Sequence, residues 1–184
     1  MTTVYGIFKI LTFPGTFVKG FWEHLICKIL GLPVETSAYL SLNELCGHVD
    51  HTFPQKPFAA FVMATVPSLM NLFIGSAFFG SGYKLIYDME IGYYESRLAF
   101  VLGVFLLYIG ISFLCNIFPM VEDAMNLYDI LYVQKKGNTV GRIFAFIPAV
   151  FVYAGSYLEK YCVTEILLVV FIVGFSLLKK YMFI

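Results

Sequence analysis

The chain has 184 residues, of which 60% are hydrophobic, 18% aromatic and only 13% charged. A soluble domain carries about 25% charged residues, so this composition excludes an ordinary soluble fold and predicts an integral membrane protein with a single domain over residues 1–184. The formal net charge is zero and no basic run alternates with aromatic residues, so nucleic acid is not an expected partner.

Apolar stretches of membrane-spanning length recur along the chain. A spanning helix needs about 20 mostly apolar residues. Five stretches fit this pattern: residues 4–32, 57–83, 98–121, 141–158 and 163–178. Pro14 and Gly15 are expected to split the first stretch into an interfacial piece and a helix.

Two polar connections between the spans predict short elements of their own. The segment "VETSAYLSLNELCGHVDHTFP", residues 34–54, is rich in strand-forming residues and predicts a short strand or hairpin at the membrane surface. The segment "PMVEDAMNLYDILYVQKKGNT", residues 119–139, has apolar residues at helical spacing and predicts an amphipathic helix. The predicted fold class is therefore an all-α integral membrane bundle of about five transmembrane helices, with a β-element after the first and an amphipathic helix after the third.

The distribution of Lys and Arg predicts the orientation of the chain. With five spans, the larger share of these residues falls on the side that also holds the C-terminus. Because basic residues favour the cytoplasmic side, a multi-pass protein with a cytoplasmic C-terminus is expected. No cleavable signal pattern precedes the first segment, so this segment is expected to remain in the mature protein.

Four short stretches carry a likeness to a known family. They are "FPGTFVKGFWEHLICKILGLPV", "GHVDHTFP", "VPSLMNLFIG" and "NIFPMVEDAMNL", in this order. The set resembles the site-2 protease family of intramembrane zinc metalloproteases, above all its small prokaryotic members that begin with a Pro-Gly-Thr turn. The likeness implies a protease-like core over about residues 12–131, followed by a C-terminal helical pair at residues 139–183.

The catalytic motif that this resemblance implies is lost. The family carries HExxH, in which two His bind zinc and the Glu is the general base. The matching positions here read Lys19-Gly20-Phe21-Trp22-Glu23, and of the implied ligands only an acid remains, at Asp123. Because a catalytic zinc normally takes three protein ligands, we expect no catalytic residue, no cofactor and no enzymatic activity.

The substituted residues predict a charge pair where the metal would lie. Lys19 and Glu23 are four residues apart and therefore share one helix face. We expect the Lys19 ammonium to replace the zinc ion and to pair with Glu23 and Asp123, because a buried carboxylate needs a partner. The alternative is that Lys19 and Glu23 face water or another subunit. Gly20 is expected to let neighbouring backbone close the cleft.

These features predict a non-catalytic pseudoprotease that serves as an accessory or structural subunit of a larger membrane complex. Its expected partners are other transmembrane subunits and the lipid bilayer. One alternative is a metal-binding membrane subunit that holds zinc or copper through His24, His48 and His51. Another is a pseudoprotease that binds transmembrane clients without cleaving them, through strand addition at residues 34–51.

Overall fold

The computed structural model describes residues 2–39, 46–88, 96–168, 170 and 174, and it is mostly helical. The main elements, in chain order, are α1 (Thr2–Leu11), α2 (Phe13–Leu30), β1 (Val34–Ala38), β2 (His48–His51), α3 (Pro57–Tyr83), α4 (Arg97–Leu114), α5 (Val121–Tyr128) and α6 (Thr139–Lys160). Two π-helical turns continue α3 and α5, at Lys84–Asp88 and Asp129–Val133.

Three helices in the described part are long and apolar enough to cross a membrane. They are α3 with most of its π-helical turn, α4 and α6. This finding is consistent with the predicted membrane protein, but it does not show five spans. Helix α2 carries Lys19, Glu23 and Lys28 and is not among the three, and residues 169, 171–173 and 175–178 of the last predicted span lie outside the described residues.

The first apolar segment is divided into two helices, α1 and α2, close to the predicted break at Pro14. Thr12 interrupts the helical backbone with φ −101° and ψ 36°, and Pro14 lies in the first turn of α2, where its missing N–H is not needed. Helix α2 ends at Leu30 and is capped by Gly31, whose φ of 68° is costly for any residue with a Cβ. The Leu32 N–H then donates to the Cys27 carbonyl at 2.8 Å and satisfies the helix end.

Helices α3 and α4 lie side by side at close range because a glycine on each helix faces the backbone of the other. A Cβ on Gly110 would lie 2.4 Å from the Phe79 nitrogen, and one on Gly82 would lie 2.7 Å from the Leu107 nitrogen. Helices in lipid associate through such close approach, since they gain little from hydrophobic burial there.

A second apolar core lies between α3, α5 and α6. The predicted amphipathic helix is present as α5 and its π-helical turn, and its apolar side faces this core. The buried members of the cluster are Ala60, Ala64, Ala124, Leu127, Ile130, Leu131, Ala149 and Val152.

The predicted β-element is an antiparallel pair that packs beside α2. Strand β1 pairs Thr36 with Asp50 and Ser37 with Val49. Gly47 precedes β2 with φ 79°, and a Cβ there would lie 2.5 Å from the Thr16 methyl group. This close approach fixes the start of β2 against α2 and brings its two histidines to the centre of the molecule.

The packing of α3 against α4 gives a test with a matched control. Gly110→Ala is expected to destabilise the protein by about 1–3 kcal/mol, because the new methyl group collides with the backbone at Phe79. Gly80→Ala, in open space on α3, is expected to stabilise it by about 0.5–1 kcal/mol. Thermal unfolding in detergent compares the two, and equal melting temperatures would contradict the close helix contact.

Candidate functional site

A buried ionic cluster lies where α1, α2 and α6 meet. Its members Lys9, Lys19 and Glu159 expose at most 3% of their surface. The Glu159 Oε1 atom accepts from the Lys19 ammonium at 3.1 Å and from the Lys9 ammonium as well. The Oε2 atom of Glu159 accepts from the Phe118 backbone N–H at 2.7 Å. One carboxylate of α6 thus binds two other helices and the segment between α4 and α5.

Both ammonium groups donate to further acceptors inside the protein. Lys9 donates to Asn116 Oδ1 at 2.7 Å, and its Nζ lies 5.0 Å from the centre of the Tyr5 ring. Lys19 donates to the Phe118 carbonyl. Buried charges persist only when their hydrogen bonds are satisfied in this way, so the cluster is part of the fold.

A second polar group links α2 to β2 through Glu23 and His48. The His48 Nδ1 atom lies 2.9 Å from Glu23 Oε1, the Val49 N–H donates to Glu23 Oε2 at 3.1 Å, and His48 Nε2 lies 3.4 Å from the Tyr5 hydroxyl. Burial, with the nearby charges of two lysines, lowers the pKa of His48 well below its usual value. A neutral ring that donates from Nδ1 and accepts at Nε2 fits both contacts.

A third group joins β2 to α5 through His51 and Asp123. The His51 Nε2 atom lies 3.3 Å from Asp123 Oδ1, and Nδ1 donates to the Thr52 carbonyl at 3.2 Å. Burial lowers the pKa of His51, but the contact with Asp123 and its negative charge outweigh this effect and raise the pKa to about 9. His51 is therefore a cation at neutral pH, paired with the one acid that the family likeness had singled out.

These contacts correct the predicted ion pair. Lys19 pairs with Glu159 of α6, whereas Glu23 binds His48 and Asp123 binds His51. Lys19 and Glu23 are also fully buried, so the alternative in which they face water does not hold within this chain. The physical reason is that both predicted acids have histidine partners on β2, which leaves the ammonium free to reach α6.

Gly20 lies where the family would carry its general base, and this position is closed. A Cβ there would lie 2.6 Å from the Tyr39 ring and 3.3 Å from the Gly47 carbonyl oxygen. The nearest atoms therefore belong to a side chain rather than to the backbone expected from the sequence. The Tyr39 hydroxyl lies 2.9 Å from His24 Nδ1, which holds the ring over the glycine.

The residues at the matched positions do not fit a zinc ion. Lys19 offers a cation and Gly20 offers no ligand, whereas zinc needs deprotonated donors at three or four positions. His24, His48 and His51 each have a different protein partner. Among the residues that the structure describes, no group of three or more His, Cys, Asp or Glu side chains is arranged to hold a metal.

Comparison with known protein families, with curated proteins and with solved structures finds no match for this chain. The likeness to site-2 proteases therefore remains a prediction from the sequence motifs.

Sequence reasoning missed Lys9, Tyr5, Asn116 and Glu159, which complete the cluster. A signal was present, because Lys9 lies inside an apolar segment and Glu159 lies at the end of another. Ionisable residues in such segments usually face the interior and pair with one another. The sequence prediction applied this rule only to the stretch around Lys19, so Lys9 and Glu159 were not connected with it.

The central role of Glu159 predicts an asymmetric response to mutation. Glu159→Gln is expected to destabilise the protein by about 3–5 kcal/mol, because it leaves two buried ammonium groups without a counter-charge. Lys19→Met is expected to cost less, since Lys9 still pairs with Glu159. Exposed Glu122→Gln serves as the control and should change stability by less than about 0.5 kcal/mol. Chemical denaturation in detergent measures all three, and a Glu159→Gln variant as stable as the control would refute the cluster.

The His51–Asp123 contact predicts a loss of stability at alkaline pH. The pKa of His51 is about 9 in the folded chain and about 6.5 when unfolded, so its stabilising effect is complete below pH 6.5 and is lost as the pH rises through 9. His51→Gln should remove this part of the slope in melting temperature between pH 6.5 and 9. His24→Gln, which leaves the contact in place, should keep it. If the His51 variant keeps the full slope, the histidine is not the titrating group.

Proposed function

We propose that this chain is a non-catalytic multi-pass membrane protein, a degenerate relative of site-2 proteases that serves as an accessory subunit of a larger membrane complex. The observation that carries the proposal is that residues 19 and 20, where the family likeness predicts catalytic residues, make structural contacts instead. Lys19 is held by Glu159 and by the Phe118 carbonyl, and Gly20 lies beneath the Tyr39 ring. Neither position can hold zinc or activate water, so hydrolysis has no basis there.

The outer surface supports the membrane part of the proposal. Leu98 is 84% exposed, Phe144 79%, Ile147 78% and Phe58 75%. These residues lie on α3, α4 and α6, the three helices of spanning length. A soluble monomer rarely exposes so many large apolar side chains. We therefore infer that lipid tails or other transmembrane helices contact them.

The proposed role as a subunit rests on which surfaces of the protein are exposed for contact with a partner. Apart from the segment with β1 and β2 between α2 and α3, the described connections between helices are short, and the polar side chains around Lys19 are buried in ion pairs. What remains for recognition is chiefly the apolar outer face. Exposed residues on α4, including Val101, Leu102 and Phe105, form one such face.

Site-specific photo-crosslinking in the native membrane tests this proposal. A photoreactive residue at position 105 of α4 is expected to give a discrete adduct heavier than the 20.9 kDa chain, because the exposed side chain at this position would contact a neighbouring subunit. The same residue at buried position 127 is the control and should give none.

Two results would contradict the proposal. One is an uncrosslinked monomer from every exposed position on α4 and α6. The other is cleavage of a transmembrane substrate by the purified chain that a zinc chelator abolishes.

A further inference from the structure

Two clefts lie beside Arg142, at the end of the molecule where α3 and α6 begin. The first has a volume of about 370 Å³ and is lined by apolar residues that include Phe58, Phe61 and Phe144. The second has a volume of about 400 Å³ and is lined by Tyr132, Lys135 and Phe146 among others. Arg142 is the charged residue that both clefts share.

The basic residues at these clefts form no ion pair within the described chain. Neither Lys135 nor Arg142 forms an ion pair with a described carboxylate, and none of the described residues that line the clefts is acidic. The nearby Asp129 carboxylate accepts from the Gln134 side chain. Arg142 Nη2 reaches only the Thr139 hydroxyl, at 3.3 Å, and its Nε is shielded from solvent without a hydrogen-bond partner in the described part.

The backbone around the clefts holds the two basic residues at the edge of an apolar surface. Lys135 has a φ of 54°, which is uncommon for a residue with a side chain. The Tyr132 hydroxyl donates to the Arg142 carbonyl at 2.9 Å and so ties the π-helical turn after α5 to the start of α6. A Cβ on Gly137 would lie 3.6 Å from Pro57, which brings the start of α3 to the same place.

We propose that these clefts bind an anionic phospholipid, whose head-group phosphate contacts Arg142 and Lys135 and whose acyl chain lies along Phe58, Phe61 and Phe144. Charge complementarity selects this occupant, because a basic pair at the end of an apolar cleft between spanning helices matches a lipid with a negative head group and an apolar tail. Arginine suits the phosphate, since its planar group can donate two parallel hydrogen bonds. The inference rests on the membrane part of the proposed function and is independent of the proposed subunit role.

Native mass spectrometry of the protein released from nanodiscs tests the site. The nanodiscs contain phosphatidylcholine with or without one fifth of phosphatidylglycerol. The wild type is expected to retain phosphatidylglycerol in preference to phosphatidylcholine. Arg142→Gln and Lys135→Gln should each reduce this preference about fivefold, the factor that corresponds to the loss of about 1 kcal/mol per basic residue near an anionic surface.

Matched variants distinguish the head-group contact from the effect of overall charge and from the contact with the acyl chain. Lys84→Gln removes the same charge from an exposed position at the far end of α3 and should leave the preference unchanged. Phe58→Ala removes an exposed wall of the cleft and should weaken the retention of both lipids, because it contacts the tail rather than the phosphate. Thermal unfolding of each variant verifies that it is folded.

The contrary results differ in which proposal they overturn. Equal retention of the two lipids, or an equal loss with Lys84→Gln, would overturn the lipid site alone. Displacement of phosphatidylglycerol by soluble glycerol phosphate at the same concentration would show an anion site without a role for the acyl chain, and would overturn the proposal as stated. Failure of the folded wild type to enter nanodiscs would overturn the membrane part of the proposed function together with the lipid site.

Discussion

The carboxylate of Glu159 is the contact on which the arrangement of the other elements depends. It receives hydrogen bonds from Lys9 of α1, Lys19 of α2 and the Phe118 backbone N–H. Burying three charges costs several kcal/mol per ion, and only a complete set of partners offsets that cost. Because the three helices can satisfy their charges only together, the cluster favours one relative placement of α1, α2 and α6 over others that would pack their apolar faces equally well.

This placement also determines what the rest of α2 contacts. With Lys19 directed at α6, Glu23 lies one turn further along the helix and contacts β2. Just before this strand, Gly47 packs directly on Thr16. In this position of β2, His48 contacts Glu23 and His51 contacts Asp123. The short sheet therefore acts as the bridge between α2 and α5, which have no charge pair of their own among the described residues.

The elements of this fold were largely predictable, whereas the partners of the charges were not. Runs of apolar residues and the break at Pro14 predicted α1 to α4 and α6, and the strand-forming residues before Pro54 predicted the β-element. The predicted pairing of Lys19 with Glu23 came from their four-residue spacing, because such local spacing can be read directly from a sequence. The actual partner of Lys19 is 140 residues away, and such a contact depends on how α6 packs, which no local pattern records. Residues 40–45 and half of the last predicted span lie outside the described residues, so those parts stay predictions.

The charge balance explains how a protein of the proposed descent can fold without a metal. A zinc site supplies two positive charges to the carboxylates around it, and removing the ion leaves those carboxylates buried without compensation. In this chain the buried carboxylates have partners from the protein itself: Asp123 has a charged His51, Glu23 has the N–H groups of His48 and Val49, and Glu159 has two ammonium groups. A lysine at position 19 cannot ligate a metal while it is protonated, and it is stable there only because α6 offers an acid within reach. Lys19 and Glu159 are therefore linked physically, since a protonated lysine at position 19 without Glu159 would leave a buried charge unpaired.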